Sequence, residues 1–181
     1  RPSGTPDPAK HPNFPVVGRN VFETEEFAVA FTKAAHEVGL KGTWRLPTAE
    51  EHRRATRAET TTLFFSGNSP KDHLKYAKLP EILSGYGVRV SDVASRWPNP
   101  WGFKDLTGLV WEWTSTDGGQ LHLPVYRNRE LLPNARARIV RPGTDPDPSN
   151  TLKMVLSTEE LSIAPNSSFT NIGFRLVWTP E

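Results

Sequence analysis

A loop-rich α+β domain is what this sequence predicts, on three observations. Two helices with recognisable starts and stops stand in its first third. Short aromatic-rich runs of strand character occupy much of the remainder. The chain also carries 17 prolines and 13 glycines in 181 residues. Proline fixes φ and removes a backbone donor, so long regular elements are excluded over much of that length. The length suits one sizeable core.

Residues 1–20 are rich in proline and read as an extended arm, with residues 21–181 as the domain proper. The first helix is "TEEFAVAFTKAAHEVGLKG". Thr24 is its expected N-cap, Glu25 and Glu26 suit the positive end of the helix dipole, and Gly39 supplies the stop. Phe27, Ala30, Phe31, Ala34, Ala35 and Val38 recur at helical spacing as one apolar stripe. The second helix is "TAEEHRRATRAE", where Thr48 and Glu51 form a capping box and Leu46 is placed as a hydrophobic staple. Its body is charged, and Ala49, Ala55 and Ala58 are its small packing positions. Beyond it, "TTLFF" reads as a short strand and "LPEILSGYGVRV" as a helical turn followed by a strand. A proline-rich loop then runs into "DLTGLVWEWTS". An arginine-rich stretch from Arg127 to Arg141, the turn "PGTDPDPSN" and a closing strand "IGFRLVW" follow.

In a strand, side chains alternate, so Trp111 and Trp113 point one way while Val110 and Glu112 point the other. Glu112 therefore needs a counter-charge, because an unpaired buried carboxylate is costly. Trp97, Trp101, Trp111 and Trp113 are expected to build a core around the Pro-Trp-Gly loop.

Composition excludes several classes. A net charge of +2 is too small to imply a nucleic-acid partner. No apolar run is long enough for a membrane span, and there is no signal-peptide pattern. The start without methionine reads as a processed or excised segment, which leans toward an extracytoplasmic location. Cysteine is absent, so disulfides and thiolate chemistry are impossible. His11, His36, His52, His73 and His122 lack metal-ligand spacing, and no Ser-His-Asp set or phosphate loop stands out.

In one order along the chain, "WRLPTAEEH", "PNPWGFKDLTGLVWEW", "RIVRPGT" and "PNSSFTNIGFRLV" resemble the formylglycine-generating enzyme, or sulfatase-modifying factor, family. "FPVVGRNVFETEEFAVAF" is similar to that family's lead into its first long helix. The resemblance implies a C-type-lectin-like fold with two helices and short antiparallel strands. It also implies an incomplete N-terminus, since family domains begin with further strands. A second protein chain is the expected source of those strands, because an unpaired sheet edge readily recruits one. The family's oxidase members hold copper on a cysteine pair, and "PGTDPDPSNTLKMVL" offers none, so no copper is expected.

The resemblance further implies structural calcium on Asp105, Gly108, Val110 and Glu112. A glycine turn that converges oxygens on a hard cation is consistent with this. The other reading keeps Asp105 as a turn cap and pairs Glu112 with an arginine such as Arg175. Arg127, Arg129, Arg136, Arg138 and Arg141, with Arg53, Arg54 and Arg57, form a candidate anion-binding surface. The plainer reading of that cluster is a solvated face with local ion pairs. The function expected is a non-catalytic binding or structural module completed by a partner chain. The alternative is a subunit of an oxidoreductase whose reactive groups or cofactor lie on another chain.

Overall fold

The computed structural model describes residues 5–78, 81–83, 87–115, 121–124, 160–161 and 167–181. Helix α1 spans Val21–Glu37, four positions of chain ahead of where a Thr24 cap would begin it. Its N-cap is Asn20, whose Oδ1 accepts from the Glu23 amide at 3.0 Å while the Glu23 carboxylate accepts from the Asn20 amide at 2.9 Å. This Asn-x-x-Glu box satisfies two otherwise orphaned donors at once and outcompetes Thr24. Thr24 is buried inside the helix, with Oγ1 donating to the Val21 carbonyl at 2.7 Å. Gly39, at φ +84°, ends the element as expected.

The face that α1 packs differs from the apolar stripe read in its sequence. Val21, Thr24, Ala28 and Ala35 are buried. Phe27, Ala30, Phe31, Ala34 and Val38 are exposed. Thr32 turns inward onto the Trp44 backbone, and buried Thr24 satisfies its hydroxyl on the Val21 carbonyl of its own helix, so the larger side chains face outward.

Strand β1 (Thr43–Arg45) leads into α2 (Ala49–Arg57). The Thr48–Glu51 capping box is present, and Arg45 donates to both Glu51 oxygens. Leu46 is buried, as are Ala49, His52, Thr56 and Ala58, so a histidine and a threonine supply the middle of the packed face. A third helix, α3 (Pro70–His73), carries proline at its first position behind a Ser69 cap. "TTLFF" is a tight turn rather than a strand: Phe64 bridges Gly67, and both Phe64 and Phe65 pack on buried His73. Within "LPEILSGYGVRV", β2 (Glu81–Leu83) pairs antiparallel with β3 (Gly87–Arg89), so a strand stands where a helical turn was expected.

Strand β4 (Trp111–Ser115), buried at its three middle residues, is an inner strand of a four-stranded sheet. Its sheet has the order β6 (Glu160–Leu161), β5 (Leu121–Pro124), β4, β7 (Ile172–Phe174). β4 and β7 run parallel, with Glu112 opposite Gly173; the other strand pairs are antiparallel. A parallel neighbour requires a long crossover, and the chain between them provides it. The closing segment is two strands, because Arg175 and Leu176 separate β7 from β8 (Val177–Thr179), which pairs with β1.

Two apolar clusters flank β4. Val21, Leu46, Trp113 and Ile172 form one, with Trp111, Phe174 and Leu176 against it. Val17, Val90, Leu109 and Val110 form the other, with Phe14. The predicted alternation holds, since both strand tryptophans face the first cluster. The end of the N-terminal arm packs too: the Gly18 amide donates to the Phe169 carbonyl at 3.0 Å. A Cβ at Gly173 would meet the Val16 carbonyl oxygen at 2.8 Å, so glycine allows this close crossing. Trp97 and Trp101 do not join the core and are 62% and 41% exposed. Among the described residues no helix is long and apolar enough to cross a membrane.

Candidate functional site

Glu112 enters the interior because alternation along β4 turns it away from the tryptophans and onto α2 and the closing segment. It is buried, and two other elements converge on it. Arg175 Nε donates to Oε2 at 2.5 Å and Nη2 to Oε1 at 2.6 Å. His52 Nε2 lies 2.9 Å from Oε2. An ionised carboxylate only accepts, so His52 carries its proton on Nε2 in this contact. Thr56 Oγ1 donates to the His52 carbonyl at 2.8 Å and so fixes this turn of α2. Burial pushes the Glu112 carboxyl up, but the Arg175 charge and the hydrogen bonds of His52 and Arg175 outweigh it and hold it down at about 2. Burial in turn opposes the charge of Arg175, and Glu112 overcomes that, raising its pKa. The result is a closed, charge-paired cluster that cross-links β4, α2 and the chain between β7 and β8.

The Pro-Trp-Gly loop is tied to α2 by Asn99. Its Nδ2 donates to the Ala55 carbonyl at 2.6 Å and the Thr56 carbonyl at 3.3 Å. Its Oδ1 accepts from the Trp101 amide at 3.1 Å and the Phe103 amide at 3.0 Å. Trp101 is thereby left outside, where Arg54 lies 5.9 Å from its ring centroid.

The residues implied for calcium stand as follows. Asp105 adopts φ +59°, and its Oδ2 accepts from the Ala94 amide at 2.5 Å. Its Oδ1 is buried without a partner. Gly108 bridges Lys78, and a Cβ there would fall 2.2 Å from the Lys78 carbonyl oxygen. Val110 is buried in the second apolar cluster. Glu112 is taken by Arg175 and His52, so a cation would share its ligand with a fixed guanidinium. In this arrangement the set does not fit the ion. Among the described residues no group of three or more His, Asp or Glu side chains could hold a metal. Arg127, Arg129, Arg136, Arg138 and Arg141 lie outside the described residues. Arg53 and Arg57 contact Glu50 and the Thr62 carbonyl respectively, while Arg54 stands near Glu59 at 3.8 Å.

A second feature lies on the opposite side of α1 from its charged flank. Phe27 contacts Phe174 at 5.4 Å and Phe31 at 5.9 Å between ring centroids, and Phe31 meets Trp44 edge-on at 5.2 Å. Trp44 is cross-strand neighbour to Trp178. Phe27, Phe31 and Trp178 are 48%, 41% and 51% exposed. Trp44 Nε1 is buried with no acceptor. The outer edge of β1 is consumed at Trp44, whose amide donates to Thr32 Oγ1 at 2.9 Å while that hydroxyl donates back to its carbonyl at 3.2 Å. Strand β8 has no second neighbour among the described residues.

The sequence named Glu112 and Arg175, while His52 stood there only among five histidines without metal-ligand spacing. A lone histidine among the charges of α2 was the available signal. Asn99 and Thr32 went unnoticed, because nothing local distinguishes a clamping amide or hydroxyl from a solvated one.

The chain is thus an irregular α+β domain built around a Trp-Glu-Trp strand whose carboxylate is held by an arginine and a histidine from two other elements. The sulfatase-modifying factor enzyme 1-like domain family matches residues 1–180, and the chain belongs to that family. The expected fold is borne out by solved structures. Treponema denticola variable protein 1 superposes with a TM-score of 0.63 at 16% identity, covering 96% of this chain and 73% of that one. CarF gives 0.59 at 21%, covering 93% and 69%, and PvdO from Pseudomonas aeruginosa gives 0.61 at 16%, covering 92% and 62%. A sequence search of curated proteins finds no match.

Proposed function

We propose that this chain is a non-catalytic binding or structural module on the sulfatase-modifying-factor scaffold, completed by a second protein chain. The observation that carries the reading is the aromatic face of α1, β1 and β8. Half-exposed Phe27, Phe31 and Trp178 adjoin a strand edge without a second neighbour among the described residues. An extended segment suits this face: its backbone would continue the sheet at β8, and its apolar side chains would cover the rings. The absence of cysteine and the closed pairing of Glu112 leave the described residues without an evident reactive group.

Affinity co-purification of the chain from its source, followed by native mass spectrometry, tests this. A stoichiometric partner that is lost in a Phe27→Ser/Phe31→Ser variant, with the β8 amides that do not bond to β1 protected from hydrogen exchange only in the complex, is the expected result. A lone monomer in which those outward-facing β8 amides are already protected would overturn it. A partner bearing a redox cofactor would convert the reading to the oxidoreductase-subunit alternative.

A further inference from the structure

The geometry points to Arg175 standing in for a divalent cation, its guanidinium tying the loop before β4 to that strand. A hard cation in such a place would gather carboxylate and backbone carbonyl oxygens from a tight loop. Arg175 gathers that kind of set. It takes both Glu112 oxygens at 2.5 and 2.6 Å, the Asp105 carbonyl at 3.2 Å, and the Lys104 carbonyl at 3.5 Å. The flat fork of a guanidinium matches a carboxylate edge-on and leaves outward N–H groups for the carbonyls. A divalent ion at Glu112 would sit against this permanent positive charge in a poorly solvated place, where repulsion is strong.

Two local features support the substitution. Leu109 commits its side chain to the apolar cluster with Val17, Val90 and Val110, so that side chain offers the loop no oxygen ligand. Arg175 falls in the gap between β7 and β8, where the chain is released from strand geometry and the long side chain can reach back to Glu112. Asp105, whose carbonyl Arg175 already holds, also has a buried Oδ1 without a partner, an oxygen in the same residue that a cation could take up if the guanidinium were removed.

Thermal unfolding of the full chain in calcium against chelator, with tryptophan-sensitised terbium luminescence, tests the inference. The wild-type chain is expected to unfold at one temperature in both buffers and to give no saturable terbium emission. Arg175→Met and Arg175→Gln are expected to unfold earlier in chelator and to recover by about 5 °C in saturating calcium. They should also give terbium emission that calcium competes away and that Asp105→Ala in the same background removes. Calcium raising the wild-type midpoint would overturn the inference. So would folded Arg175 variants that ignore calcium, or terbium emission that survives Asp105→Ala. If neither variant folds, the wild-type comparison decides alone.

Discussion

Glu112 is the most consequential single residue, because its ionised form is built into the fold. Its carboxyl is held at about 2 against an ordinary 4.5. With the folded value depressed, the unfolded chain binds the proton first as pH falls. The stabilisation is complete above about pH 4.5 and is lost as pH drops toward 2. The loss from this one group amounts to about 3 kcal/mol at most. Glu51, held down to about 2 chiefly by the hydrogen bonds of Arg45, titrates in the same window. Urea unfolding at stepped pH, in wild type and Glu51→Gln, separates the two. His73 acts in a higher window. It is buried, stacked 4.4 Å from Phe64, and burial pushes its pKa from 6.5 to about 4. The unfolded chain takes up that proton first, so stability falls as pH drops from 6.5 toward 4. His73→Phe is expected to flatten the pH–stability curve in that interval, measured in the same series. Asn99→Asp is expected to cost about 2–4 kcal/mol, since a carboxylate cannot donate to the Ala55 and Thr56 carbonyls. Chemical denaturation reads this directly, and an unchanged midpoint would show that water replaces the clamp.

At the scale of elements, what was legible depended on whether the signal was local. The Thr48–Glu51 box gave the start of α2 to the residue, because a capping box is complete within one turn. Thr48→Ala is expected to lower stability by about 1 kcal/mol, checked by the same unfolding measurement. The start of α1 was missed because two acceptable caps lie close together, and only Asn20 has its glutamate three residues on. The inward face of α1 was misread for a different reason. Periodicity ranks side chains by hydrophobicity, yet Thr32 is drawn inward by the backbone of Trp44, a strand beyond the helix. Tertiary partners of this kind leave no trace in helical spacing. The same limit hid the hairpin of β2 and β3 and the parallel pairing of β4 with β7. At Gly42, where φ is +97°, a Cβ would lie 2.5 Å from both the Thr179 carbonyl oxygen and Trp178 Nε1. Gly42→Ala should therefore loosen the β1–β8 pair and raise amide exchange at Val177–Thr179.

For the whole molecule, the resemblance carried further than any pattern of residues could. The irregular fold follows from many short, individually weak pieces in one order, and that order is what the family retains. Site chemistry was less legible, since the partner of Glu112 lies 63 positions away along the chain. Residue types told that Glu112 needed a counter-charge, and only the folded chain shows the guanidinium and the imidazole arriving together. Alternation along the Trp-Glu-Trp strand did hold, because burial on both sides of β4 pins its register.

The gap between β7 and β8 makes mechanical neighbours of two places that look unrelated. Arg175 anchors inward, and two residues later the backbone reaches the outermost strand. Tension applied to that rim is therefore felt at the ion pair without crossing the rest of the domain. Because coupling is reciprocal, whatever grips the rim should shift the acid sensitivity of the interior, and acidification should loosen the grip by the same factor.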